Sequence, residues 1–101
     1  MPKFNSEVLT GKKIQELFSY AKKNNFALPA VNVTNTSTVN TVMETASELN
    51  APAIIQFSNG GSVFYSGKGL SNKNEAAAIA GGISGAKHVH QMAKLYGASI
   101  I

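Results

Sequence analysis

Two short apolar runs constrain this chain more than any other feature. Ala27-Leu28-Pro29-Ala30-Val31-Asn32-Val33 and Ala53-Ile54-Ile55-Gln56-Phe57-Ser58 are both of strand length, and each follows a segment with helical periodicity. Before the first run, Ile14, Leu17, Phe18 and Ala21 recur at intervals of three and four residues. This predicts a helix over residues 11–24, with Thr10 as N-cap and Asn24-Asn25 as the stop. Pro29 has no amide hydrogen for a ladder, so it belongs at the strand's start and not its centre. Between the runs, Val39, Val42, Met43, Ala46 and Leu49 form a second helical stripe, with caps available among Thr34-Asn35-Thr36-Ser37 and Pro52 closing the turn. The continuous apolar character of Ala53-Ile54-Ile55 suits a strand covered on both faces in a parallel sheet.

After the second run comes a Gly- and Ser-rich stretch, Asn59 to Asn74, which reads as a long βα connection; ordered loops of that length are disproportionately functional. A helix is expected from Glu75 to about Tyr96, with Ile79, Ile83, Ala86, His90 and Ala93 on one side and Gly97 as its stop. Ala98-Ser99-Ile100-Ile101 then begin a third strand. The order helix, strand, helix, strand, helix, strand is that of an α/β fold with right-handed parallel crossovers. Within a (β/α)8 barrel, which takes about 250 residues, this would be the opening part of a single domain, residues 1–101, cut within its third strand.

Composition narrows the function. The 101 residues are 44% hydrophobic and 14% charged, a globular balance, and contain no cysteine. Disulfides, thiolate catalysis and sulfur-bound zinc are thereby excluded, and a metal would need His, Asp or Glu. The acidic residues Glu7, Glu16, Glu44, Glu48 and Glu75 fall mostly on expected helix surfaces. His88 and His90, two positions apart on a helix, point about 200° away from each other and cannot share an ion from one face. One is expected at the surface and one against the sheet. No apolar run spans a bilayer, and Met1-Pro2-Lys3-Phe4-Asn5 lacks a secretory leader, so the reading is cytoplasmic. Net charge is +4, but Lys12, Lys13, Lys22, Lys23, Lys87 and Lys94 are dispersed in the manner of solvated helix faces, not of a nucleic-acid stripe.

Two motifs bear on ligand chemistry. Gly61 to Gly67-Lys68-Gly69 imitates a P-loop, but five residues separate the glycines and Gly69 stands where Ser or Thr should hold magnesium, which excludes nucleotide binding by that route. Gln56-Phe57-Ser58-Asn59-Gly60-Gly61 places polar groups at the carboxyl end of a strand, where α/β folds collect ligands, and Asn32 ends the first strand at the same mouth. Ser58 and Asn59, helped by glycine amides, suit an anion; ordinary turn chemistry suits them equally.

The segments Phe26-Ala27-Leu28-Pro29-Ala30-Val31-Asn32, Ala51 to Gly61, Gly67-Lys68-Gly69 and Gly85-Ala86-Lys87-His88-Val89-His90-Gln91-Met92-Ala93 resemble class II, metal-dependent fructose-1,6-bisphosphate aldolases of the enteric and yeast type. The likeness runs from about Leu9 to Ile101. It implies a (β/α)8 barrel, here represented by an N-terminal helix at the barrel's bottom, two βα units and the start of the third strand. It further implies a homodimeric lyase of glycolysis and gluconeogenesis. That lyase reversibly cleaves fructose 1,6-bisphosphate to dihydroxyacetone phosphate and glyceraldehyde 3-phosphate, using zinc as Lewis acid and an aspartate as general acid/base. By position, Ser58 matches the serine that binds the phosphate of the glyceraldehyde 3-phosphate portion and Asn32 an asparagine lining the substrate pocket. Gln56 lies nearby without an assigned role. The family's aspartate and first metal histidine would follow directly after Ile101, so these residues hold no catalytic or metal ligand of the family and are expected to be inactive alone. A different class of reading is a stand-alone, non-catalytic α/β module that binds a small phosphorylated ligand through Ser58, Asn59 and the glycine-rich segment.

Overall fold

The computed structural model describes residues 4–101; residues 1–3, part of the segment in which no leader is read, lie outside it. Helix α1 (Lys12–Lys23) leads to strand β1 (Ala30–Asn32), α2 (Thr36–Glu48), β2 (Ile54–Gln56), α3 (Asn59–Ser66), a single 3-10 turn (Lys73–Glu75) and α4 (Ala76–Tyr96). β1 and β2 pair in parallel, with Ala30 opposite Ile54, Val31 opposite Ile55 and Asn32 opposite Gln56. Beyond β2, residues 99–101 add a further parallel line. Ala53 donates to the Ser99 carbonyl at 3.2 Å, Ile101 to that of Ala53 at 3.0 Å and Ile55 to that of Ile101 at 2.9 Å. On the outer side of this line, Leu9 donates to the Ile100 carbonyl at 2.8 Å and Ile100 to that of Glu7 at 3.0 Å.

Alternation along the strands sorts side chains by face. Val31, Val33, Ala53, Ile55 and Phe57 turn toward α2 and α4, and the core there includes Val39, Met43, Ala46, Val89, Ala93, Ala98 and Ile100. Ala30, Asn32 and Gln56 are exposed and Ile54 is half-buried, so the described residues cover only one face of the sheet and not the two that its apolar run suggests.

The helix limits follow local chemistry, with two departures from expectation. Asn35 caps α2 by accepting from the Thr38 amide at 2.8 Å. Asn24 and Asn25 end α1, the latter at φ 56°. Thr10 is not the cap of α1: Gly11 takes that place at φ 57° with no side-chain bond, and Thr10 supplies only its carbonyl, to Lys13 at 3.2 Å. Leu17 and Ala21 are the buried residues of α1, while Phe18 is 45% exposed. Tyr20 meets Phe4 and Phe26 edge-on, each at 5.8 Å, and this binds the chain's approach and departure to the helix.

The larger correction concerns residues 59–74. Half of this stretch is helical, because Ser58 caps it and the apolar Val63-Phe64-Tyr65 follow the glycines. The α4 stripe differs as well. Ile79 and Ile83 are 58% and 52% exposed, and the buried line is Ala77, Gly81, Gly85, Val89 and Ala93 at strict four-residue spacing. Small residues occupy it because α3 and Phe57 lie close: a side-chain carbon on Gly81 would strike the Ser62 carbonyl, and one on Gly85 the Phe57 ring. Ser66 also donates its hydroxyl to the Ala77 carbonyl at 2.5 Å. Gly97 ends α4 at φ 72°, with Ala98 donating to the Ala93 carbonyl at 2.9 Å. No helix among the described residues is long and apolar enough to cross a membrane.

Adjacent glycines separate these effects. Gly81→Ala is expected to destabilise by about 1–3 kcal/mol, since the obstructing atom is backbone and cannot rotate away. At Gly82 a methyl group meets nothing nearer than the Ser62 hydroxyl at 3.7 Å. Gly82→Ala is therefore expected to be neutral or stabilising by up to about 1 kcal/mol. Urea unfolding of the two variants checks the contrast, and equal effects would refute it.

Candidate functional site

The carboxyl ends of β1 and β2 define one edge of the sheet. Asn32 and Gln56 stand opposite each other there, and the Val33 amide donates to the Gln56 carbonyl at 3.1 Å, which fixes the register up to the last residues. Asn32, Gln56 and, two residues on, Ser58 are all exposed at this end. The structure thus brings together the three residues that the sequence assigns to the mouth.

Ser58 is the N-cap of α3. Its hydroxyl oxygen accepts from the Gly61 amide at 3.0 Å and its carbonyl from the Ser62 amide at 2.8 Å. The hydroxyl proton is left to donate outward. The amides of Asn59 and Gly60, in the first turn, have no intrahelical acceptor, and the positive end of the helix dipole lies at the same place. An anion with several acceptor oxygens matches such a set of donors. Glycine at position 61 has a reason of its own: a side-chain carbon there would lie 2.9 Å from the Val33 carbonyl, so the small residue lets α3 start directly over the end of β1.

Two residues that sequence reasoning left as surface or loop complete the arrangement. Asn59 donates its side-chain amide to the Glu75 carboxylate at 2.7 Å, across sixteen residues. Asn72 accepts from the Ala78 amide at 3.0 Å and so caps α4 from outside the helix. Asn74 and Glu75 both adopt left-handed backbone, at φ 56° and 62°; asparagine takes that region readily, whereas glutamate there is unusual. A cleft of about 510 Å³ opens between the starts of α3 and α4, lined by Phe57, Asn59, Ser62, Glu75, Ala78 and Ile79.

Other candidates are occupied elsewhere. His88 is half-buried with its Nε2 2.8 Å from the Asn40 oxygen, so it joins α4 to α2; His90 is exposed, on the sheet side of α4, where it lines a cavity with Ile55, Phe57 and Ile101. Glu7 pairs with Lys13 at 2.6 Å. Burial holds the Tyr65 phenol above its usual range, where it stacks edge-on against Phe57 at 5.8 Å, so it stays neutral at physiological pH. Among the described residues no group of three or more His, Cys, Asp or Glu is placed to hold a metal.

Comparison with known proteins gives one answer. The family profile of class-II fructose-bisphosphate aldolase matches residues 12–101. Fructose-bisphosphate aldolase class 2 of Escherichia coli K12 is 56% identical over 95 residues, covering 93% of this chain and 26% of the relative. Fructose-bisphosphate aldolase of Campylobacter jejuni serotype O:2 is 49% identical over 94 residues, covering 93% and 25%. A crystal structure of a Campylobacter jejuni fructose-bisphosphate aldolase superposes with a TM-score of 0.87 at 47% identity, covering 96% of this chain and 27% of that one. The chain therefore spans about a quarter of the length of the relatives it matches. The α/β arrangement is accordingly the opening of a (β/α)8 barrel: an N-terminal helix, two βα units and the beginning of a third strand. On its sequence, its superposition and the residues at its strand ends, this chain belongs to the class II fructose-bisphosphate aldolases, as an N-terminal portion of that fold.

Proposed function

We propose that these residues open a class II aldolase that reversibly cleaves fructose 1,6-bisphosphate to dihydroxyacetone phosphate and glyceraldehyde 3-phosphate. One observation carries the reading for this chain: Ser58 caps a helix whose free amides sit at the carboxyl end of β2, beside the paired Asn32 and Gln56. In this role the Ser58 hydroxyl and the first amides of α3 bind the phosphate of the glyceraldehyde 3-phosphate portion. Asn32 lines the substrate pocket. The enzyme works as a cytoplasmic homodimer with triose phosphates as its other ligands.

Zinc is the metal of this proposal, supplying Lewis-acid stabilisation of charge on the substrate's carbonyl oxygen. The residues described here do not fit such a site, since His88 is engaged by Asn40 and no three of their His, Asp and Glu side chains are placed to hold a metal together. Zinc and the general acid/base aspartate are therefore assigned to other parts of the full-length enzyme, and the contribution of this segment is phosphate binding and substrate orientation.

Substitution at Ser58 separates binding from folding. Ser58→Ala in the full-length enzyme removes both cap and phosphate donor. It should cost about 1 kcal/mol of stability and, for a hydrogen bond to a charged group, about 10- to 100-fold in kcat/KM. Ser58→Asp keeps the cap, because Asp serves as well as Ser there. It should leave thermal stability near wild type while raising KM for fructose 1,6-bisphosphate at least as far as the alanine variant does. An aspartate variant with wild-type KM would rule out phosphate binding at this position.

The isolated polypeptide of residues 1–101 is expected to show no aldol cleavage and to retain no stoichiometric zinc after dialysis. A coupled triose-phosphate assay and elemental analysis check this. Chelator-sensitive cleavage by the isolated polypeptide would overturn the assignment of metal and aspartate to other residues.

A further inference from the structure

Glu75 is the one acidic residue in the second half of the chain, and its placement is unusual. It stands at the N-cap position of α4 yet caps nothing there, because Asn72 supplies the acceptor for the Ala78 amide. Both it and Asn74 lie in the left-handed region, a conformation that costs non-glycine residues energy and persists where surrounding contacts determine it. From this position the carboxylate crosses the cleft and accepts from the Asn59 side chain at 2.7 Å.

Asn59 is the first residue of α3, immediately after Ser58. A short carboxamide at a helix start tends to turn its oxygen onto nearby main-chain amides, competing for the same donors that an anion would use. An ionised carboxylate only accepts, so it engages the nitrogen end of the Asn59 amide and fixes which way the group faces. The carboxylate itself lies near the positive ends of both α3 and α4, where negative charge is favoured. On the reading that α3 binds substrate phosphate, we infer that Glu75 is a positioning residue for that site: it holds the Asn59 side chain away from the free amides of α3 and so keeps them open to the phosphate. Glu75 acts through Asn59 and does not touch the substrate.

The test uses the full-length enzyme with variants Glu75→Ala, Glu75→Gln, Asn59→Ala, the Glu75→Ala/Asn59→Ala pair, and Ser58→Ala as control. Glu75→Ala should raise KM for fructose 1,6-bisphosphate about tenfold, with kcat within about twofold, as loss of an interaction common to ground and transition states does. Competitive inhibition by inorganic phosphate should weaken in parallel. Glu75→Gln can both accept from and donate to the Asn59 amide, so it no longer fixes which way that group faces and should restore KM only in part, to a value between those of wild type and Glu75→Ala. Asn59→Ala removes the competing oxygen along with the donor, so it should impair binding less than Glu75→Ala does. The pair should resemble Asn59→Ala alone, since Glu75 then has nothing to position. A pair that behaves as the sum of the singles would overturn the inference, as would an unchanged KM in Glu75→Ala. So would a Glu75→Gln variant that binds substrate more tightly than wild type, which would mean that the carboxylate acts as a repelling charge. If Ser58→Ala has no effect on KM, the phosphate reading itself fails; if Ser58→Ala raises KM and Glu75→Ala does not, only the role of Glu75 fails.

Discussion

The contact between the Ser62 carbonyl and the bare Gly81 backbone governs the rest of the arrangement. Two helices ordinarily keep 8–10 Å between their axes because side chains stand between them. The four-residue line of small residues on α4 lets α3 settle against it instead, anchored by the Ser66 hydroxyl on the Ala77 carbonyl. With its carboxyl half held there, α3 has one direction left for its amino end, which is back over the end of β1, where Gly61 approaches the Val33 carbonyl. The position of Ser58 is thus decided by glycines three and twenty-three residues further along the chain.

The sheet shows a complementary asymmetry. Its outward side is packed, with Val33 and Ala53 buried and Val31, Ile55 and Phe57 partly buried under α2 and α4, while the side bearing Asn32, Ile54 and Gln56 has no covering layer among the described residues. In a (β/α)8 barrel that second side faces the axis, where side chains from alternate strands stack in layers. The polar identity of Asn32 and Gln56 at the last paired register fits the mouth of such an axis, and the apolar Ile54 fits its interior.

Much of this was legible in the sequence because it depends on short-range rules. Both strands, the proline at the start of the first, a cap for α2 among residues 34–37 and the Gly97 stop follow from periodicity and capping alone, and the structure selects Asn35 as that cap. Asn32 and Ser58 could be set at one mouth because parallel strands end on the same side. What escaped depends on distant partners. The glycines before Val63 argue for a loop, and the Ser58 cap makes a helix of them together with the close contact of Ser62 and Ser66 with α4. Periodicity of apolar residues puts Ile79 and Ile83 on the buried side of α4 but carries no measure of how closely backbones approach, and the interface is built instead from Ala77, Gly81, Gly85, Val89 and Ala93. The reach of Glu75 to Asn59 requires left-handed backbone at Asn74 and Glu75 in succession; asparagine is a local cue for the first, and nothing local marks the second.

The strip made by residues 7–9 also bears on the order in which this part of the fold forms. Glu7 and Leu9 exchange hydrogen bonds with Ile100, and the Ser99 hydroxyl donates to the Asn5 carbonyl at 2.7 Å. These bonds join residues 5–9 to residues 99–100, so they close a loop of more than ninety positions and carry a larger closure entropy than the pairing of β1 with β2, whose partners Ala30 and Ile54 lie much nearer in sequence. During synthesis, the amino-terminal strip has no partner until the third strand leaves the ribosome, although α2 and β2 can meet β1 long before. Residues 5–9 thus dock after β1, α2 and β2 although they are synthesised before them, and their backbone stays open to chaperones through that interval.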